Sequence, residues 1–235
     1  MNNKWQFAGQ ILKAYSGSSW KVRIFVFIRY LVCPWQKLVG LLIPMIKDGK
    51  LLDIGCGHGL LLHLLQIANN TQFCVGMDHD VDKVAIARKS FSNNPQITIQ
   101  DNSEPIPFSQ KFDCISLMDV LYAVNPEDWP QIWNLIKKQL KPDGILVIKE
   151  TVNQPKLKYW ICLLQEILAT KILKYTKGQF PFLPSAEYYL KELNRSGFEI
   201  VKHQRIDQGY LWPHYLFIAR CKDFKKIDSF EKQAR

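Results

Sequence analysis

The nine residues from Leu51 to Gly59, Leu-Leu-Asp-Ile-Gly-Cys-Gly-His-Gly, constrain the fold of this 235-residue chain more than any other segment. The apolar residues around Asp53 predict the end of a buried parallel strand, and the alternating glycines predict a sharp turn against a ligand. The leucine-rich run from Leu60 to Leu65 predicts a helix directly afterwards. A strand, a glycine turn and a helix in this order open a doubly wound α/β sheet, in which ligands lie beyond the carboxyl ends of the strands.

The spacing of the glycines argues against a dinucleotide-binding turn. They fall at Gly55, Gly57 and Gly59, and Leu60 occupies the position where the pattern G-x-G-x-x-G has its last glycine. A carboxylate at Asp53 would repel a pyrophosphate but can pair with a cationic ligand. The segment resembles motif I of the class I S-adenosylmethionine-dependent methyltransferases. In that family the turn lies under the amino-acid part of the cofactor, and the acidic residue contacts it directly or through water.

Two further carboxylates follow predicted strands. Asp78 ends the strand that begins at Phe73, where a carboxylate can accept both ribose hydroxyls of a nucleoside; the alternative role, a helix N-cap, is better filled by Asp80. Asp101 follows the short strand 97–99, and taken alone it would be a solvated loop residue. The methyltransferase resemblance implies that it accepts from the adenine amino group. Carboxylates at three successive strand ends favour the cofactor interpretation.

The resemblance continues into the fourth predicted strand, 112–117. The run from Phe112 to Tyr122 is similar to motif IV of the small-molecule branch of the family, which implies that Met118, Asp119 and Tyr122 border the methyl-transfer cavity. The D/N-P-P-Y/F/W element of base-modifying amino-methyltransferases is absent here, which argues against methylation of nucleic-acid bases. The complete set of expected residues for S-adenosyl-L-methionine, and its product S-adenosyl-L-homocysteine, is Asp53, Gly55, Cys56, Gly57, Gly59, Asp78, His79, Asp101, Asn102, Met118 and Asp119.

The order of predicted elements indicates one α/β domain with a Rossmann-like, doubly wound sheet. We expect seven strands, mostly parallel with an antiparallel last strand, as in the family. A helix over 126–140 and a turn over 141–144 should lead into the fifth strand. The expected segments are an N-terminal helical cap (1–48), the cofactor-binding core (49–150), an inserted helical lid (151–197) with an apolar stripe from Leu157 to Ile172, a C-terminal hairpin (198–221) and a tail (222–235).

Both flanks of the core are basic. Residues 1–50 hold eight Lys and Arg against one acidic residue, and the whole chain has a net charge of +10. A helix predicted over 20–33 places Trp20, Ile24 and Ile28 on one side. It either packs on the domain as a lid or forms a basic amphipathic surface for a membrane or a lipid-like substrate. An acidic acyl carrier protein would suit the same charge, and RNA is the less favoured partner.

The six cysteines show no C-x-x-C spacing, and most lie in apolar segments, which favours free thiols in a reducing compartment. The first residues lack the apolar core of a secretion signal, and no transmembrane helix is expected. We therefore predict a cytoplasmic location. The alternative is a peripheral location at the inner face of the membrane, which a basic amphipathic helix would favour.

Methyl transfer to a hydroxyl or an activated ring carbon also requires a base. His214 is the candidate, with Tyr210 and Tyr122 as orienting groups; a structural role for this histidine is the alternative. Lys149 and Glu150 form either a pocket pair or a strand-end ion pair.

A second resemblance concerns the acceptor. Lys149-Glu150, Gln165-Glu166 and the run Gly209 to His214 resemble a bacterial subgroup associated with aryl-polyene and other fatty-acid-like pathways, although Trp212 stands where a second histidine is expected. The resemblance implies methyl transfer to an O or C atom of a small aromatic or fatty-acyl acceptor, free or on a carrier protein. The alternatives are an RNA-directed methyltransferase and a non-catalytic binding subunit.

Overall fold

The computed structural model describes residues 4–46, 49–68, 73–103, 111–156, 158 and 182–222. Within these residues, seven strands form one sheet in the order β3-β2-β1-β4-β5-β7-β6. Strand β7 runs antiparallel to both of its neighbours, and the other pairs are parallel, which confirms the predicted fold class. The strands are β1 (Leu51–Ile54), β2 (Cys74–Asp78), β3 (Ile97–Asp101), β4 (Phe112–Met118), β5 (Leu140–Thr151), β6 (Phe198–Arg205) and β7 (His214–Cys221).

The described helices cover both faces of the sheet. Successive strand residues such as Leu51 and Leu52 point to opposite faces, and each enters a different apolar core. One core includes α1 to α5, and the other includes α6 and α7. The helices are α1 (Lys4–Ala14), α2 (Trp20–Val32), α3 (Trp35–Ile46), α4 (Leu60–Ile67), α5 (Val81–Ser90), α6 (Trp129–Gln139) and α7 (Ala186–Arg195).

The N-terminal segment, predicted as a helical cap, forms three helices. Pro34 separates α2 from α3, because proline cannot continue the hydrogen bonding of a helix. Helix α3 buries Leu38 and Leu42 in the core beside the sheet. Among the described helices, none alone is long and apolar enough to cross a membrane; α2 and α3 together have the required length and composition, but they meet at a bend of 79°.

The two largest differences from the predicted boundaries lie beside β5. The helix expected over 126–140 begins at Trp129, because the Asn125 side chain accepts from the Glu127 N–H and starts a separate 3₁₀ turn, Pro126–Asp128. The turn expected over 141–144 lies inside β5. The pairing with β4 jumps from Phe112 with Leu140 to Cys114 with Ile145, so these residues bulge out of the ladder instead of ending it.

The predicted lid stripe from Leu157 to Ile172 lies outside the described residues, as do Gln165-Glu166, Cys162 and the tail beyond residue 222. The segment boundaries at 48, 150 and 197 remain predictions.

Candidate functional site

The glycine turn follows β1 and is fastened to the end of β2. The backbone N–H groups of Gly55 and Cys56 both donate to the Met77 carbonyl, at 2.7 and 2.9 Å. Gly55, Gly57 and Gly59 all have positive φ angles, of 74°, 56° and 81°, which L residues with a Cβ rarely adopt. A Cβ built at Gly57 would have no described atom within 4 Å. The turn therefore presents bare, accessible backbone at Gly57.

Asp53 and Asp78 lie buried beside this turn. Asp53 accepts a hydrogen bond of 2.7 Å from the Ser116 hydroxyl, and among the described residues it has no cationic partner. One oxygen of Asp78 accepts from the Gly57 N–H at 2.7 Å and the other from the Asp80 N–H at 2.9 Å. Each oxygen of Asp78 retains acceptor capacity, because a carboxylate oxygen has two lone pairs. Asp80 is the N-cap of α5, as the sequence predicted.

The pKa of the buried Asp53 carboxyl lies near neutral pH. Burial raises its pKa to about 7, the Ser116 hydrogen bond opposes the rise, and the charge of Asp78 adds to it. Two acidic groups therefore lie at one sheet edge, and one of them is partly protonated near pH 7. A cation bound beside them would stabilise their ionised forms.

The other predicted cofactor residues lie at the same edge. Asp101 pairs with Asp78 in the ladder between β3 and β2, and its carboxylate accepts from the Ser103 N–H at 2.8 Å. The Asn102 N–H donates to the Asp78 carbonyl at 3.2 Å. The ring Nδ1 of His79 lies 3.5 Å from the Asp78 carboxylate, and this ring is exposed. Two more residues of the set, Cys56 and Met118, are buried.

Helices α1 and α2 cover the turn from the other side. The Tyr15 hydroxyl donates to the His58 carbonyl at 2.8 Å, and the Phe25 ring lies 5.5 Å from the His58 ring, between centroids. Burial lowers the pKa of His58 to about 4, so this side chain is neutral at physiological pH. His58 therefore shapes the loop through packing, and the N-terminal segment contacts the glycine turn directly.

A buried charge cluster lies at the carboxyl end of β4. The Asp119 carboxylate accepts from Lys149 and, at 2.5 Å, from Arg29 of α2. Burial opposes ionisation of Asp119, but the charges of Lys149 and Arg29 hold its pKa well below its usual range. Asp119 has a φ of 60°, and its backbone N–H donates to the Lys149 carbonyl at 2.8 Å. This residue joins α2 to the sheet, and its role as a cofactor contact remains a prediction.

The two predicted partners Lys149 and Glu150 point to opposite faces of β5, because successive strand residues alternate. Lys149 bonds to Asp119, whereas one oxygen of Glu150 accepts from the backbone N–H groups of Val120 and Leu121 at 2.9 and 2.8 Å. Burial and the nearby charge of Asp119 raise the pKa of Glu150 to about 8. Glu150 therefore fastens the chain after β4, and it is largely uncharged at pH 7.

His214 begins β7 and is fully buried. Its Nε2 lies 2.9 Å from the Val32 carbonyl at the end of α2, so Nε2 must carry the proton and donate it. Nδ1 is then an acceptor, and it has no hydrogen-bond partner among the described residues. Burial and the charge of Lys149 lower the pKa of His214 to about 3, so the ring is neutral at physiological pH.

Aromatic rings surround His214. The Tyr210 and Trp212 rings lie 6.0 and 6.1 Å from its ring, between centroids, and both are edge-on. Lys158 donates to the Tyr210 carbonyl at 2.8 Å and to the Asp207 carboxylate at 2.7 Å, which fixes the loop between β6 and β7. Tyr122 lies in the 3₁₀ turn after β4, where its carbonyl accepts from the Phe182 N–H. The ring contact of 6.0 Å joins Tyr210 to His214.

Three contributors were not identified from the sequence: Arg29, the Val32 carbonyl and Tyr15. A signal was available for Arg29, because it lies on the side of α2 opposite Ile24. If that side packs on the core, a charged residue there needs a buried partner.

Replacement of two glycines should separate the role of the turn in stability from its role in binding. A Cβ at Gly55 would lie 2.4 Å from the Val120 side chain, whereas space is open at Gly57. We expect Gly55→Ala to lower the free energy of unfolding by about 2–4 kcal/mol through strain and overpacking. Gly57→Ala should cost only about 1 kcal/mol but weaken S-adenosyl-L-homocysteine binding at least tenfold. Denaturant unfolding and calorimetric titration measure both effects; equal binding by Gly57→Ala and wild type would contradict a ligand position over this turn.

The residues at this edge fit S-adenosyl-L-methionine, a cation with an amino-acid end, a ribose and an adenine. Asp53 and Asp78 offer buried negative charge, and Gly57 offers open backbone beside them. Asp101 lies one strand further along the same edge. The donor set therefore matches the three parts of the molecule in order.

Comparison with known proteins agrees with this geometry. A family model described as a methyltransferase domain matches residues 27–203. A ubiquinone biosynthesis O-methyltransferase from Glaesserella parasuis serovar 5 is 30% identical over 159 residues, which cover 64% of this chain and 65% of that protein. The ubiquinone/menaquinone biosynthesis C-methyltransferase UbiE from Campylobacter jejuni is 26% identical over 193 residues, 74% of this chain and 79% of that protein.

A similar solved structure is that of the glycopeptide N-methyltransferase MtfA complexed with S-adenosyl-L-methionine. It has a TM-score of 0.58 and 14% identity, and the match covers 79% of this chain and 86% of that one. The chain spans slightly less than two thirds of the first of these curated relatives. The family match, the sheet order and the glycine turn with its carboxylates lead to one conclusion: this chain belongs to the class I S-adenosylmethionine-dependent methyltransferases.

Proposed function

We propose that this protein transfers a methyl group from S-adenosyl-L-methionine to a hydroxyl oxygen of a small aromatic, lipid-like acceptor. The observation that carries the proposal is the buried, unpartnered Nδ1 of His214 beside a cluster with excess positive charge. A phenol needs both features, because it must lose a proton and its oxygen becomes negative as it does so.

His214 is arranged to accept that proton. The Val32 carbonyl fixes the tautomer, which leaves the Nδ1 lone pair available, and the neutral form is present at every physiological pH. The pKa of about 3 makes the ring a weak base by itself. Proton transfer becomes favourable only if the phenol is acidified in the site.

The charge cluster supplies this acidification. Arg29 and Lys149 carry two positive charges, Asp119 balances one of them, and Glu150 is largely protonated at pH 7. The remaining positive charge is only weakly screened by water, because Lys149 is fully buried and Arg29 mostly so, and it favours a phenolate over a phenol. Tyr210 and Trp212 provide apolar edges that suit an aromatic ring.

In this proposal, Asp53 and the glycine turn hold the amino-acid end of the cofactor, Asp78 the ribose and Asp101 the adenine. When bound, the cofactor supplies an electrophilic methyl group. The protein has to hold the acceptor oxygen in line with that group and keep water out.

The relatives support an aromatic lipid-like acceptor, since two of them are named for ubiquinone biosynthesis. One is named an O-methyltransferase and the other a C-methyltransferase, so an activated ring carbon is the second candidate acceptor atom. A fatty-acyl or aryl-polyene acceptor on an acidic carrier protein is a further proposal, which rests on the basic flanks of the chain.

His214→Gln tests the role of the imidazole. Glutamine can still donate to the Val32 carbonyl but has no basic nitrogen, so we expect turnover of an alkyl-catechol acceptor to fall about 10²- to 10³-fold with unchanged S-adenosyl-L-homocysteine affinity. The matched control is His203→Gln, which changes an exposed ring bonded to the Tyr215 hydroxyl and should leave turnover unchanged. Unchanged turnover in His214→Gln would remove the base assignment. Methylation of RNA, with no transfer to any phenol, would contradict the proposed acceptor class.

Asp53 should make cofactor binding depend on pH. Its folded-state pKa of about 7 lies above the ordinary value of 3.8, and pairing with a cation would lower it, so binding releases a proton. Affinity for S-adenosyl-L-methionine should therefore rise with pH, by at most about tenfold per unit, and level off above pH 7. His58 titrates near 4, outside this range. Calorimetry in buffers of different ionisation enthalpy measures the proton release; Asp53→Asn should bind more weakly and lose the pH dependence, and a pH dependence retained in that variant would refute the assignment.

A further inference from the structure

One face of α2 leaves three large apolar side chains in solvent. Trp20 is 67% exposed, Ile24 49% and Ile28 45%. They are spaced four residues apart, so they form a single stripe along the helix. These three residues are called the α2 stripe below.

Positive charge borders the α2 stripe on both sides. At 100° per residue, the exposed Lys21 and Arg23 lie on opposite flanks of the line through Trp20 and Ile24. No Asp or Glu occurs anywhere in residues 4–46, which hold six Lys and Arg. An apolar stripe between basic residues, with a tryptophan at one end, is the arrangement of helices that lie in the interface of an anionic bilayer.

The opposite face of the same helix belongs to the site. Val26 and Tyr30 are buried in the core, Arg29 bonds to Asp119, and the Val32 carbonyl accepts from His214. Trp20, Ile24 and Ile28 are therefore exposed while the inner face of α2 is held in the protein, and the helix does not have to leave the protein to expose these three residues.

We propose that α2 is an interfacial helix that docks this protein on anionic lipid bilayers through the α2 stripe, with Lys21 and Arg23 on the lipid headgroups. Docking is a binding property that is independent of the proposed acceptor. Its consequence for catalysis is that the site on the inner face of α2 would lie next to the bilayer surface, where a lipid-like aromatic molecule is concentrated.

The apolar stripe distinguishes a bilayer from an acidic protein as the partner. Basic residues alone would attract either one. Two isoleucines and a tryptophan in one line gain free energy by entering the acyl boundary, and this contribution does not decrease as salt is added. Attraction between Lys21, Arg23 and anionic headgroups does decrease with salt. Binding should therefore combine an anionic requirement with residual binding at high salt.

Sedimentation of the full chain with vesicles tests the proposal. The vesicles contain phosphatidylcholine with phosphatidylglycerol at roughly one lipid in three, and phosphatidylcholine alone serves for comparison. We expect Trp20→Ser/Ile24→Ser/Ile28→Ser to lower the partition coefficient on the anionic vesicles at least about tenfold, and Lys21→Glu/Arg23→Glu to lower it by a similar factor. The matched control is Val201→Ser, which removes a residue of 51% exposure on β6, outside the α2 stripe.

Folding and cofactor binding of the variants are checked by thermal unfolding and by S-adenosyl-L-homocysteine affinity. Both should stay at the wild-type level because the altered side chains are exposed.

Equal partitioning of the triple variant and the wild type would overturn the proposal. Wild-type protein that fails to sediment with anionic vesicles, or that binds an acidic carrier protein through the stripe instead, would overturn it as well. If the triple variant loses vesicle binding but turns over a soluble alkyl catechol normally, the result supports docking and leaves the proposed chemistry intact. Normal vesicle binding without turnover of any phenol would instead contradict the chemistry alone.

Discussion

Asp78→Asn is expected to weaken binding of S-adenosyl-L-homocysteine by about two orders of magnitude. The carboxylate is buried, anchors the Gly57 N–H at 2.7 Å and retains lone pairs for the two ribose hydroxyls. Hydrogen bonds to a charged acceptor contribute about 1.5–3 kcal/mol each, and an amide can replace only one of the acceptor oxygens. Calorimetric titration measures the loss.

The control for Asp78→Asn is Asp82→Asn. Asp82 is an exposed carboxylate in the first turn of α5, the helix that follows Asp78. Asp82→Asn therefore removes the same charge from the same region without replacing a group that is bonded to Gly57. Its affinity should stay within about twofold of the wild type, because exposed charges are screened by salt. Wild-type affinity in Asp78→Asn, with an unchanged melting temperature, would place the cofactor elsewhere.

Asp119→Asn is expected to lower the free energy of unfolding by about 3–5 kcal/mol, because removal of one member of a buried ion pair leaves its partner without compensation. Lys149 is fully buried and would lose its carboxylate partner. Asparagine tolerates the φ of 60° at this position, so backbone strain does not contribute. The depressed pKa fixes the pH range: the stabilisation is present above the ordinary pKa of 3.8 and is lost as the pH falls toward about 2. Urea unfolding between pH 2 and 7 measures the effect.

Asp113→Asn provides the comparison for this loss. Asp113 accepts from Lys141 at 2.7 Å, but that pair is partly exposed and its ion-pair contribution should be about 1 kcal/mol or less. The double variant Asp119→Asn/Lys149→Met should recover part of the lost stability, because it removes the unpaired buried charge. Equal losses for Asp113→Asn and Asp119→Asn, or no recovery in the double variant, would contradict the importance of burial for the cluster.

The sheet edge that carries the three carboxylates could be predicted from the sequence because it depends on local order. A strand, a turn and a helix repeat along the chain, and parallel strands bring their carboxyl ends to one edge of a sheet. Asp78 and Asp101 end their strands and Asp53 is the penultimate residue of β1, so all three could be placed at that edge without any knowledge of distant contacts. The N-cap role of Asp80 and the positive φ angles at the glycines followed from equally local rules.

The cluster of Arg29, Asp119, Lys149 and His214 could not be predicted in the same way, since it depends on how α2 packs. Periodicity placed Arg29 on the basic helix, but nothing local indicated that it would meet Asp119, 90 residues later, or that the Val32 carbonyl would fix the tautomer of His214, 182 residues later. Lys149 and Glu150 are adjacent in sequence, and the sheet sends them to different cores. The sequence by itself thus determined the fold class and the sheet edge that carries the three carboxylates, because both follow from short-range order. Only the tertiary structure decided the partners of Arg29, Lys149 and His214, because burial selects the partners of polar and charged groups that are far apart in the chain.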